Sequence, residues 1–117
     1  MRIEKHHQLT VLIVEKDKAK IGGVNDMLDM MGDARYNGCD AMVIDKETLG
    51  ETFFDLKTGY AGEILQKFSN YNMKIGIIGD FSKYKSKSLK DFIYESNQGN
   101  RVCFLNTHAA CIEHLSR

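Results

Sequence analysis

Four short apolar runs recur along the chain with helix-like segments between them: residues 9–15 (LTVLIVE), 41–45 (AMVID), 73–79 (MKIGIIG) and 101–105 (RVCFL). Runs of this length, rich in β-branched residues and not strictly alternating, are the pattern of strands buried on both faces of a largely parallel sheet. The stretch Arg2 to His6 alternates more weakly and is separated from the first run by the polar pair His7-Gln8, which predicts a hairpin at the N-terminus. Between the runs the spacing changes. Ile21, Val24, Met27, Leu28 and Met31 recur at helical intervals, with Asp26, Asp29 and Asp33 on the other face and Gly38 as a stop. After a polar connection and the pair Phe53-Phe54, a second helix carries Ala61, Ile64, Leu65 and Phe68 on one face. A third places Leu89, Phe92 and Ile93 inward, with Ser88 as N-cap and Asp91 three residues on, and Thr107 caps a short last helix. The order β-β-α-β-α-β-α-β-α predicts a single α/β domain over residues 1–117, with a mixed sheet of about five strands and about four helices. Its ligand-bearing loops are expected at the carboxyl ends of the parallel strands, after Asp45, Gly79 and Leu105.

Charge and cysteine usage narrow the functional classes. Sixteen Lys and Arg balance sixteen Asp and Glu, which removes the electrostatic basis for a nucleic-acid or anionic-membrane partner. The balance is uneven along the chain: residues 21–63 hold nine acids against three bases, and residues 64–117 hold eight bases against four acids. The longest apolar run, residues 11–14, is far short of the roughly 20 residues a membrane span needs, and the N-terminus has no apolar leader, so a cytoplasmic protein is expected. Cys39, Cys103 and Cys111 are an odd number without CxxC spacing, as expected of small buried hydrophobes in a reducing compartment.

The blocks FFDLKTGYAGEILQKF, KIGIIGDFS and SKSLKDFIYESNQG resemble those of a bacterial domain-of-unknown-function family, over nearly all of residues 41–115. In element order the chain is also similar to the STAS domain, the architecture of bacterial anti-anti-sigma factors and of regulatory tails on sulfate transporters. In STAS proteins of the first kind an apolar pair, an Asp, one or two serines and a Gly precede a helix, and the serine before the Gly accepts phosphate from an anti-sigma kinase. The string Phe53-Phe54-Asp55-Leu56-Lys57-Thr58-Gly59 has that outline, with Thr58 at the acceptor position. It departs by one additional residue between Asp55 and Thr58, by Lys57 where a serine stands, and by Thr for Ser.

The resemblance implies a regulatory module with a protein partner. Its expected contact face comprises Asp55, Lys57, Thr58 and Gly59 together with Asp80, Ser82 and the basic loop Lys83, Lys85 and Lys87. A hydroxyl in the first turn of a helix suits a phosphate, because free backbone N–H groups and the helix dipole stabilise the anion there. The simpler role for Thr58 is an N-cap, with Gly59 and Gly62 letting the helix approach the sheet.

An enzyme is the alternative. Asp45, Asp55 and Asp80 stand at or just beyond strand ends, where three carboxylates on one rim would hold Mg²⁺ for phosphate chemistry. A small-ligand pocket between helix and sheet is a third reading. No cofactor is expected: GIIGD is not GxGxxG, and nothing matches a phosphate-binding P-loop. Cys103 belongs to a buried strand, and His108, Cys111 and His114 fan round a helix rather than converging on zinc, while His6 and His7 are expected exposed in a turn. A receiver-like acidic site is excluded by spacing, since only one helix fits between Asp17 and Asp45.

Overall fold

In a computed structural model describing residues 1–6, 8–16 and 20–117, the chain forms a five-stranded mixed sheet in the order β1-β2-β3-β4-β5. His7 and Asp17 lie outside the described residues. β1 (Arg2–His6) and β2 (Leu9–Val14) make the expected antiparallel hairpin, with Ile3 opposite Leu12 and Glu4 opposite Val11. β3 (Ala41–Asp45), β4 (Lys74–Ile78) and β5 (Val102–Leu105) add in parallel. The helices are α1 (Val24–Tyr36), α2 (Lys46–Leu49), α3 (Tyr60–Asn70), α4 (Lys87–Ser96) and α5 (His108–Leu115).

Side chains alternate across the sheet and divide the interior in two. Leu12, Val14, Met42, Ile44, Ile75, Ile77 and Phe104 meet Met27, Met31 and Ala34 of α1, Ala61, Ile64 and Phe68 of α3 and Leu89 of α4. Val11, Ile13, Ala41, Val43 and Cys103 face the other way, onto Cys111, Ile112 and Leu115 of α5. Strands added in one direction by right-handed crossovers place their connecting helices on one face, so the opposite face is left for the helix that follows the last strand. Gly76 sits where α5 comes closest: a Cβ there would lie 3.0 Å from Cys111 Cβ and 3.3 Å from Cys103 Sγ. All three cysteines are free and buried.

Four local expectations change. The first helix begins at Val24 rather than Ile21, because Ile21 is held outside it, buried, with its N–H donating to Thr48 O at 3.2 Å. The polar connection after β3 is instead α2 and two 3₁₀ turns, Glu51–Phe54 and Leu56–Thr58, which bury Thr48, Leu49, Phe53 and Phe54. This raises the number of helices from four to five. The N-cap of α4 is Ser86, in extended conformation and accepting from Leu89 N–H at 3.2 Å, while Ser88 lies inside the helix. Nor do Gly59 and Gly62 permit close packing, since neither has an atom within 4 Å of where a Cβ would stand; Gly59 is needed for its φ of +77°. No helix among the described residues is long and apolar enough to cross a membrane.

Candidate functional site

The two connections that leave the carboxyl ends of β3 and β4 are built from short side-chain-capped turns. Asp45 Oδ1 accepts from Glu47 N–H at 2.9 Å and starts α2. Asp55 Oδ1 accepts from Lys57 N–H at 3.3 Å and starts the second 3₁₀ turn. Asp80 Oδ1 accepts from Ser82 N–H at 3.0 Å and from Ser82 Oγ at 2.6 Å, and these bonds hold its carboxyl below the usual carboxylate range. Each carboxylate expected on a metal rim thus serves its own turn. Among the described residues no group of three acidic, histidine or cysteine side chains is placed to hold a metal ion. His114 is buried against Gly99 O, with Nε2 at 2.6 Å.

What joins the two connections is a cluster that spacing alone does not reveal. The Tyr84 ring stacks on Phe54 with centroids 5.1 Å apart, and its hydroxyl donates to the Glu51 carboxylate, whose oxygens lie at 3.1 and 3.2 Å. Lys46 Nζ donates to the same hydroxyl at 3.2 Å and lies 3.6 Å from Glu51 Oε1. Its side chain is only 11% exposed, running over Gly79 with the ammonium 5.2 Å from the centre of the Tyr84 ring. Lys83 reaches Glu51 from outside at 3.4 Å. Burial, and then the bond to Glu51, push the Tyr84 hydroxyl up to about 12. Burial raises the Glu51 carboxyl, but the Tyr84 hydroxyl and the Lys46 and Lys83 ammonium groups outweigh it and bring the net shift below the ordinary value.

Beside this cluster lies an open groove of ≈ 970 Å³. One wall is Glu51, Thr52, Asp55, Lys57 and Thr58; the other is Tyr84, Ser86 and Ser88. The structure therefore brings Asp55, Lys57 and Thr58 together with the start of α4. Gly59, Asp80, Ser82, Lys83, Lys85 and Lys87 lie outside the lining, with Lys87 paired to Asp91 at 2.8 Å. Thr58 is exposed and is not the N-cap of α3; that position is Gly59. Its hydroxyl donates to Asp55 O at 2.8 Å, approaches Thr52 O at 3.3 Å, and accepts from Tyr60 N–H at 3.2 Å. Tyr84 was visible in the sequence only as an aromatic set among lysines and serines, and Lys46 and Glu51 carried no signal.

A smaller apolar pocket, ≈ 230 Å³, is lined by Leu28, Met31, Gly32, Arg35, Tyr71 and Met73. It falls below the roughly 300 Å³ at which small-molecule sites begin. The family model of a domain of unknown function (DUF4180) matches residues 6–115. No curated protein and no solved structure matches the chain.

Proposed function

The chain belongs to the family described as a domain of unknown function (DUF4180); from the geometry of the groove we propose that it is a regulatory protein-binding module of STAS-like outline, contacting its partner through the groove and switched at Thr58. The observation that carries this reading is the placement of Thr58: an exposed hydroxyl that ties together its own turn and lines the same groove as Lys57, Ser86 and Ser88. A kinase transferring the γ-phosphoryl group of ATP to Thr58 Oγ1, with loss of the hydroxyl proton and release of ADP, would act twice at this point. The esterified oxygen has no proton left to donate, so the bonds to Asp55 O and Thr52 O are lost. The phosphate adds a charge of about −1.5 to −2 beside Lys57 and facing the first turn of α4. Both effects remodel the groove while leaving the sheet untouched.

Affinity capture from the protein's own cells tests the reading, with wild type, Thr58→Asp, Ser88→Arg and, on the far face, the exposed Glu113→Arg as baits. The expected result is one protein held in stoichiometric amount by wild type and by Glu113→Arg. Its recovery changes about tenfold or more in Thr58→Asp and falls similarly in Ser88→Arg, as about 1.4 kcal/mol of contact energy would cause. Equal recovery by all four baits sinks the proposal, and mass measurement of chain purified from the same cells reads the Thr58 phosphate directly.

A further inference from the structure

The two edges of the sheet are treated differently. At β5 the Asn97 side chain acts as a substitute strand: its Nδ2 donates to Phe104 O at 3.1 Å and its Oδ1 accepts from Phe104 N–H at 2.8 Å. Asn97 thus takes up the outward N–H and C=O of Phe104, which blunts this edge as a template for another strand. β1 forms the other edge, and the bonding pattern of β2 fixes which of its backbone groups face outward. Thr10 addresses β3, since its carbonyl accepts from Asp40 N–H at 2.7 Å and its N–H donates to Asp40 Oδ2 at 3.1 Å. By alternation Leu9, Val11 and Ile13 address β1, so their partners His6, Glu4 and Arg2 are bonded inward. The N–H and C=O groups of Ile3 and Lys5 therefore point away from the sheet. Ile3 is itself 47% exposed although it stands opposite the buried Leu12.

We propose that β1 pairs with β1 of a second copy of this chain, antiparallel about a twofold axis at Ile3, giving one continuous ten-stranded sheet. Self-complementarity favours this occupant and this register. Centred on Ile3, the pairing joins the outward groups of the two Ile3 residues to each other and those of Lys5 to Met1 of the other copy, sets the two Ile3 side chains together, and puts Arg2 of each copy, which in its own chain reaches Glu4 at 2.6 Å and Glu15 at 2.9 Å, opposite Glu4 of the other. Centring on Glu4 would instead join Ile3 of each copy to Lys5 of the other but oppose two carboxylates, which is repulsive. Five residues of strand make a small interface, of the class that associates weakly, so the dimer is expected to depend on concentration.

Sedimentation velocity of the full chain over a wide concentration range is the test. The expected result is a mass rising from 13.3 kDa toward twice that value. Ile3→Pro removes an outward donor and no β1–β2 bond, so it keeps the fold by circular dichroism and stays monomeric; Ile3→Lys, which leaves the backbone intact, does the same. Register is read by mixing Arg2→Glu chains with Glu4→Arg chains: each alone is monomeric, because like charges then face across the axis, and the mixture recovers the dimer. A wild type that remains monomeric at ~1 mM, the concentration that would half-populate even a dimer held by only ~4 kcal/mol, overturns the proposal. So does a dimer that survives Ile3→Pro and Ile3→Lys, or a mixture that gains nothing over its components.

Discussion

Every helix leaves its first amides without a partner inside the helix, and one well-placed side-chain oxygen satisfies one of them. At α4 two serines compete for that role, two residues apart. Only Ser86 has the extended backbone that lets its Oγ reach Leu89 N–H; Ser88, already helical, lines the groove. Ser86→Ala should therefore cost about 1 kcal/mol in urea denaturation, whereas Ser88→Ala should stay within about 0.5 kcal/mol of wild type. A capping box written from sequence as Ser88 with Asp91 does not form, because Asp91 pairs with Lys87 instead. Thr107, by contrast, caps α5 as expected, accepting from Ala110 N–H at 3.0 Å.

Elements that are distant along the chain are tied by the Lys46, Glu51 and Tyr84 cluster, which joins α2 and the first 3₁₀ turn to the loop after β4. The tie has a consequence at high pH. The Tyr84 hydroxyl has a folded-state pKa raised from 10 to about 12, so the folded protein keeps a proton that the unfolded chain releases. Stability from this group is complete below pH 10 and is lost as the pH rises toward about 12. Thermal melts of wild type and Tyr84→Phe over this range should converge, with wild type falling more steeply; a constant difference between them would refute the tie. The segment between β3 and α3 owes its shape to the same elements. Phe53 is almost fully buried among Phe54, Tyr60 and Phe104, so Phe53→Ala should cost about 3–5 kcal/mol and loosen the groove wall built on it.

At the scale of the molecule, a sheet wound in one direction has no reversal of strand order, and so lacks the crevice at which open α/β sheets usually bind ligands. The candidate groove arises instead from two adjacent connections, and the unhelped face of the sheet depends on α5 alone. Gly76→Ala would drive a methyl group against Cys111 and Cys103, at an expected cost of about 1–3 kcal/mol. Adding Cys111→Ala should recover part of the loss, since the Sγ contact at 3.1 Å goes while the Cβ contact at 3.0 Å stays. Much of this architecture was legible in the residues. The runs around Val11, Val43, Ile77 and Cys103 are apolar on both faces, and the period changes at Met27 and Ile64, because burial on a strand or a helix repeats with that element's own geometry. The same local physics placed Thr58 just before a helix, though as its N-cap, the position Gly59 takes. What periodicity does not encode is which ends of which elements share a neighbourhood. Lys46 meets Tyr84 across 38 positions and Glu51 meets it across 33, contacts decided by strand order and by the space above Gly79. The strands and the longer helices, with their buried faces, follow from the residues alone; α2 and the two 3₁₀ turns, the groove, the tie beside it and the open edge at Ile3 follow from assembly of the sheet, because each is made by residues that come together only then.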